Sequence, residues 1–151
     1  MERNGETLWL RFHVECRLQY LALPAPAAST RADGLWRHTC CEAFIGDGAY
    51  SEFNFSPSLQ WAAYDFSGYR DGMRERPMAE HPEIGLDVSE EHLALEADFA
   101  VGDLQGALGL SAVIEEMDGT KSYWALAHSQ GAPDFHHPTC FAATLPAPEA
   151  P

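Results

Sequence analysis

The N-terminal part of the chain alternates between apolar and polar side chains. Every second residue from Leu8 to Tyr20 is aliphatic, aromatic or a cysteine, and the residues between them are mostly charged or polar. A period of two residues is typical of a strand that buries one face, whereas a helix would scatter these side chains around its circumference. We therefore predict a long strand over residues 8–20, followed by an alanine- and proline-rich loop over residues 21–30.

Short segments bounded by turn-forming residues predict further strands. Gly46-Asp47-Gly48 and Asp118-Gly119 are typical hairpin turns. Ser89 and the two glutamates after it also resemble a capped helix start, so a short helix over residues 89–95 is an alternative there. The predicted strands cover residues 40–45, 50–56, 60–66, 84–88, 92–99, 104–116, 121–128 and 140–145.

About eight to ten short strands without alternating helices predict an all-β fold. We expect a single antiparallel β-sandwich, jelly-roll-like, that forms one domain over residues 1–151. Its core is expected over about residues 8–145, with residues 146–151 as a flexible tail. The irregular segment 68–81 is too long for an idle turn, so we expect it to line a site or to cap one end of the fold.

Charge limits the classes of partner. The 151 residues include 9 Lys and Arg against 23 Asp and Glu, a formal net charge of −14. Such a chain is not expected to bind nucleic acid or an anionic membrane surface. It contains no apolar run of about 18 residues and no visible signal peptide, which favours a cytoplasmic protein with reduced cysteines.

Polar side chains share one face of two neighbouring predicted strands. Phe53 and Phe55 point toward the expected core, whereas Glu52 and Asn54 point away from it, and Glu42 lies on the strand before. Carboxylates and amides form paired hydrogen bonds to vicinal hydroxyl groups, so this stripe is a candidate sugar-binding face. A solvated outer face of a sandwich gives the same pattern, and both interpretations stay open.

Four tryptophans provide candidate stacking platforms. A sugar ring stacks its C–H face on an indole, and Trp36 and Trp124 lie where both could reach a common rim. The alternative is that a sandwich of this size buries its tryptophans, which we favour for Trp61. Trp9 lies on the polar face of its strand and is expected to be exposed or covered by a loop.

Histidines in the C-terminal part suggest, without specific spacing, a metal or haem site. Adjacent His136 and His137 diverge in an extended segment, and neither a Cys-x-x-Cys nor a His-Glu-x-x-His motif is present. We therefore predict no resident metal or cofactor. Haem is an alternative that needs axial ligands such as Met73 or Met78 with His128 or His136.

Catalysis has a weaker basis in the sequence. Glu42 and Glu52 are candidates for the carboxylate pair of a glycosidase, at a separation that depends on strand register. Arg70 is a candidate to clamp an anionic group, or else it pairs with a neighbouring carboxylate. Cys40 and Cys41 should point to opposite faces, one to the core and the other to solvent.

Four segments resemble family 9 carbohydrate-binding modules and the DOMON-like superfamily. They are residues 35–45 (LWRHTCCEAFI), 50–58 (YSEFNFSPS), 61–73 and 123–137. The resemblance implies a jelly-roll-like sandwich that binds sugar or haem. Its sugar-binding members stack the sugar between two tryptophans, which implies Trp36 and Trp124 here. Family 9 modules usually accompany secreted glycan-degrading enzymes, so a cytoplasmic sensor of sugars or small metabolites fits this chain better.

The sequence therefore predicts a non-catalytic ligand-binding module for a carbohydrate or a related small polar metabolite. The alternatives are a haem-binding DOMON domain, a protein–protein interaction domain and, less favoured, a carboxylate-dependent enzyme. The oligomeric state is left open. The predicted ligand-binding residues are Trp36 and Trp124 for stacking, Glu42, Glu52, Asn54 and His128 for hydrogen bonding, and Arg70 for an acidic substituent.

Overall fold

Residues 1–149, which the computed structural model describes, form eleven strands and three short 3-10 turns. Turns and irregular segments connect the strands, as the turn residues in the sequence indicate. The 3-10 turns are Leu18–Tyr20, Leu35–Arg37 and Pro138–Cys140. The strands are β1 (Glu2–Asn4), β2 (Thr7–Glu15), β3 (Cys40–Ile45), β4 (Tyr50–Phe55), β5 (Trp61–Phe66), β6 (Arg74–Glu75), β7 (Glu83–Val88), β8 (His92–Ala100), β9 (Gly106–Glu115), β10 (Lys121–Ala125) and β11 (Ala143–Leu145).

Two antiparallel sheets contain all of these strands. The four-stranded sheet has the order β1-β2-β8-β7, and the seven-stranded sheet has the order β10-β9-β3-β4-β5-β6, with β11 paired to β9. The predicted all-β sandwich is confirmed. None of the helical turns in residues 1–149 is long and apolar enough to cross a membrane.

The main core lies between the two sheets, on what we call the inner face of the seven-stranded sheet. Phe53 and Phe55 from β4 contact Phe99 of β8, each with ring centroids 4.8 Å apart. Leu8 and Leu10 of β2 are fully buried in the same cluster, as the period of two predicts. Trp61, expected in the core, is also buried there.

Several local predictions differ from the structure. The strands predicted over residues 121–128 and 140–145 are shorter, since β10 ends at Ala125 and β11 begins at Ala143, after the 3-10 turn Pro138–Cys140. The first long strand ends at Glu15, and the chain then forms the 3-10 turn Leu18–Tyr20 instead of extending to residue 20. The alternative helix over residues 89–95 is wrong, because β8 begins at His92. The Ser89 hydroxyl does accept hydrogen bonds from two following backbone N–H groups, but these close the β7–β8 hairpin.

Two short strands, β1 and β6, were not predicted. β1 is held by Arg3, whose guanidinium donates to the carbonyls of Gly102 (2.7 Å), Leu104 (2.6 Å) and Pro146 (2.7 Å). The start of the predicted tail is therefore tied to the fold at Pro146. Residues 150–151 of that tail lie outside the described residues.

The outer face of the seven-stranded sheet is also covered. Irregular segments before β3 and after β10 lay apolar side chains on it, and together they form a second apolar cluster. The interpretation of this face as solvated is therefore wrong. The cluster consists of Phe44, Tyr50, Ala62, Tyr64 and Phe66 from the sheet, with Leu35, Phe135 and Phe141 from the covering segments.

Two further features depend on this cover. Cys41 faces the main core and Cys40 faces outward, yet both are buried, so the expectation that one of them meets solvent is wrong. Gly109 of β9 lets the cover come close, because a Cβ atom there would lie 2.9 Å from the Phe141 ring.

Candidate functional site

A cavity of about 530 Å³ lies between the outer face of the seven-stranded sheet and the segments that cover it. We call it the site cavity. Its walls include the aromatic rings of Trp36, Phe66, Tyr123 and Phe135. A cavity of this size, apolar in its walls and with a few polar groups, is typical of small-molecule binding sites.

Glu42 of β3 and Glu52 of β4 form the polar floor of the site cavity. Their exposed fractions are only 2% and 4%. The ladder pairs Glu42 with Asn54, which places the two glutamates diagonally on adjacent strands. The Ser111 hydroxyl donates to Glu42 Oε2 at 3.3 Å, and the Asn54 amide donates to Glu52 Oε1 at 3.0 Å.

Burial changes the protonation of both floor carboxyls. Loss of hydration raises the pKa of Glu42 to about 8, with a further upward contribution from the charge of Glu52. Burial likewise raises the pKa of Glu52 to about 7, against the opposing effects of the Asn54 hydrogen bond and of Arg70. At neutral pH Glu42 is therefore mainly protonated, and its carboxyl group both donates and accepts hydrogen bonds.

Asn54 lies beside Glu42 on the same face of the sheet and is completely buried, at 0% exposure. Its Oδ1 atom accepts no hydrogen bond from residues 1–149. A buried amide oxygen without a donor destabilises the fold by about 1–3 kcal/mol. Glu42, whose carboxyl group can be protonated, lies directly opposite Asn54 in the ladder. The buried amide is therefore adjacent to the floor of the site cavity.

His136 forms one wall and is neutral. Its Nδ1 lies 2.7 Å from the Tyr50 hydroxyl, which also accepts the backbone N–H of Arg70 at 3.2 Å. Its Nε2 lies 3.7 Å from Oε2 of Glu52. Burial, reinforced by the charge of Arg70, lowers the pKa of His136 to about 4. The Tyr50 contact and the lowered pKa together favour the tautomer that carries its proton on Nε2, toward Glu52.

Arg70 lines the same cavity, but its guanidinium is already paired. Its Nη2 and Nε donate to Oδ1 of Asp134 at 2.7 and 3.2 Å. The Tyr69 hydroxyl donates to the other oxygen of that carboxylate. Arg70 also adopts a left-handed backbone conformation (φ 51°), which a non-glycine residue rarely does. The paired guanidinium and its backbone fix this loop against the segment that carries Asp134 and His136.

The predicted site residues do not all meet in one place. Trp36, Glu42, Glu52 and Arg70 line the site cavity. Trp36 is partly exposed (38%), and its ring meets the edge of Tyr64 at a centroid distance of 6.3 Å. Four of the seven predicted residues therefore share the cavity.

Trp124 and His128 lie elsewhere. In the β9–β10 ladder Trp124 pairs with Ala112, which belongs to the main core, so its ring lies on the inner side and is 64% exposed. Its neighbour Tyr123 faces the site cavity instead. His128 lines a separate surface depression near Tyr69. This corrects the expectation that a sugar is held between Trp36 and Trp124.

Sequence reasoning missed several residues of the site cavity. Tyr123, Arg37 and Lys121 gave no signal beyond their residue type, and His136 was considered only as a metal or haem ligand. The face on which β10 places Tyr123 is set by its register against β9, which is a long-range pairing.

Trp124 lines a second cavity, which we call the edge groove. It has a volume of about 560 Å³ and lies between β2 and the β9–β10 edge of the other sheet. Phe12 and Val14 of β2 and Ile114 of β9 contribute apolar walls, and Leu126 is exposed beside Trp124. The two cavities are similar in volume, but only the site cavity has a buried carboxyl floor.

Neither the comparisons nor the geometry identifies a family or a metal. Residues 1–149 contain no group of three or more His, Cys, Asp or Glu side chains placed to hold a metal ion. No protein-family model, no curated protein and no solved structure matches the chain. The functional conclusion therefore depends on the site cavity itself.

Proposed function

We propose that the protein is a non-catalytic binding module for a carbohydrate or a related small polar metabolite, and that the ligand occupies the site cavity. The observation that supports this proposal is the pair of buried carboxyl groups, Glu42 and Glu52, beneath aromatic walls. Burying two adjacent carboxyl groups is costly because they lose hydration, and the charge of Arg70 offsets only part of this cost at Glu52.

The chemistry of the floor suits hydroxyl groups. A sugar hydroxyl donates one hydrogen bond and accepts others, and a protonated Glu42 next to a partly ionised Glu52 supplies both kinds of partner. The partly exposed Trp36 supplies an apolar surface for the C–H face of a ring. Asn54 orients Glu52 through its amide, so we assign it a positioning role beside the floor carboxyl groups.

The resemblance to DOMON-like proteins agrees with this proposal and is part of it. Two packed antiparallel sheets are compatible with the sandwich that the resemblance implies. The cytoplasmic location stays a prediction from the sequence.

Haem binding is the second candidate, because Met73 and His136 line the same cavity. The donor set does not fit axial ligation, however, since the two ring nitrogens of His136 face Tyr50 and Glu52 instead of the open space. An absorbance spectrum after incubation with haemin tests this alternative. A Soret band that His136→Gln abolishes would favour haem over a sugar.

Thermal denaturation with a panel of neutral sugars tests the proposed function. A sugar that binds only the folded state raises the Tm by mass action. We expect one stereochemical class to do so, and Trp36→Ala to weaken its binding about tenfold in titration calorimetry. Trp124→Ala is the matched control and should bind like the wild type, because its ring lies in the edge groove.

Two outcomes would contradict the proposal. One is that no sugar or small polyol stabilises the folded chain. The other is that Trp124→Ala weakens binding as much as Trp36→Ala, which would place the ligand outside the site cavity. Turnover of a bound glycoside that Glu42→Gln abolishes would instead identify the enzyme alternative.

A further inference from the structure

The cationic side chains of this acidic protein are distributed unevenly. The chain has one lysine and eight arginines, and three of these nine residues, Arg37, Arg70 and Lys121, line the site cavity. Arg70 forms an ion pair with Asp134. Arg37 and Lys121 form no ion pair with any residue in the described part of the chain.

Most other cations are already paired. Arg3 forms no ion pair but donates to four backbone carbonyls. Arg17 is exposed and also forms no ion pair among residues 1–149. The ion-paired arginines are Arg11 with Asp87 and Glu96, Arg31 with Glu75, and Arg74 and Arg76 with Asp65. Arg17, Arg37 and Lys121 are thus the three exposed cations without a carboxylate or carbonyl partner among residues 1–149. Two of them, Arg37 and Lys121, line the site cavity.

Glu115 is the acidic residue that lies opposite Lys121 in the β9–β10 ladder. Its carboxylate is engaged elsewhere, since Oε2 lies 2.7 Å from Nδ1 of His38. Lys121 and Arg37 are both exposed, and both line the site cavity. The cavity thus combines exposed cations in its lining with buried carboxyl groups on its floor.

We propose that the ligand is an acidic sugar, with its anionic group bound by Arg37 and Lys121 and its hydroxyl groups bound by Glu42 and Glu52. This inference rests on the proposed function and names its ligand class. It replaces the expectation that Arg70 holds the acidic substituent, because the Arg70 guanidinium is bound to Asp134. A cationic ligand fits less well, since the unpaired charges of Arg37 and Lys121 would repel it.

Matched sugar pairs test this inference. D-glucose, D-galactose and D-mannose are each compared with the corresponding hexuronate, which differs only at C6, by titration calorimetry at pH 6.5 and low salt. We expect at least one hexuronate to bind about tenfold more tightly than its hexose, because a charge-assisted hydrogen bond is stronger than a neutral one. Low salt is used because dissolved ions screen the charges of exposed cations and would weaken their attraction for the ligand.

Three variants separate a local effect from the overall charge. Arg37→Gln and Lys121→Gln should each weaken hexuronate binding about tenfold and weaken hexose binding less, because a hexose has no anionic group for them to bind. Arg17→Gln removes the same charge from an exposed residue that does not line the cavity and should change neither affinity. Melting temperatures of all three variants should match the wild type, because these side chains are exposed.

The outcomes distinguish this inference from the proposed function. Equal affinities for hexose and hexuronate would overturn the acidic ligand and leave the sugar-binding proposal standing. Equal losses in Arg37→Gln and Arg17→Gln would also overturn it, since the preference would then reflect net charge. If none of the six sugars binds, the acidic-sugar inference fails, and the proposed function fails with it only if no sugar or small polyol of the wider panel raises the Tm.

Discussion

The two faces of the seven-stranded sheet are both buried, but by different means. On the inner face, Phe53 and Phe55 pack against the four-stranded sheet in an apolar core. On the outer face, irregular segments provide the cover and leave a cavity above Glu42 and Glu52. All six residues of β3 and of β4 are buried. One strand can therefore stabilise the fold with alternate residues and form the floor of a cavity with the others.

The largest expected effect lies on the inner face. Phe53→Ala removes a fully buried ring that contacts Phe99, and we expect the free energy of unfolding to fall by about 3–5 kcal/mol. Urea denaturation followed by far-UV circular dichroism measures this loss. A loss below about 1 kcal/mol would mean that the space between the sheets is not the main source of stability.

On the outer face, the expected effect depends on pH. The raised pKa of Glu42 means that the folded state binds a proton more tightly than the unfolded chain, so stability falls between about pH 5 and pH 8. Glu42→Gln should remove much of this fall in the free energy of unfolding, on the order of 3 kcal/mol. A smaller fall should remain, because the pKa of Glu52 is also raised. Denaturation at pH 5 and pH 9 measures the difference.

The stabilities of the wild type and the Glu42→Gln variant should differ most at pH 9. The Glu42→Gln variant should be more stable than the wild type there and similar to it at pH 5. Parallel curves for the two proteins across this range would show that the carboxyl group is not held in a dehydrated floor.

The edge groove should show the smallest effect. Trp124→Ser changes an exposed ring, so we expect the free energy of unfolding to stay within about 0.5 kcal/mol of the wild type. Thermal denaturation and analytical ultracentrifugation of both proteins check this. A dimer in the wild type that the variant loses would favour the interaction-domain alternative for this groove.

Local sequence signals identified most of the architecture. The hairpin turns Gly46-Asp47-Gly48 and Asp118-Gly119 lie between paired strands, as predicted. The period of two in β2 correctly separated the core side of that strand from its exposed side. These features depend on neighbouring residues, which is why the sequence alone reveals them.

The site was only partly predictable, because it depends on long-range pairing. Glu42, Glu52 and Asn54 were correctly placed on one face, but their burial requires the segment carrying Phe135 and His136 to fold back over the sheet. No local sequence pattern predicts that this segment folds back over the sheet. The face on which Trp124 lies likewise depends on the register of β10 against β9, and a shift of one residue exchanges the two faces.

Gly109 shows how the width of the site could be engineered without changing any residue that lines it. A methyl group there would lie 2.9 Å from the ring of Phe141, so alanine would push that ring away from the sheet. Phe141 packs on Phe44 and Tyr50 in the same cover that carries His136. A graded series of small side chains at position 109 would thus act as a spacer that sets the distance between the sheet and its cover.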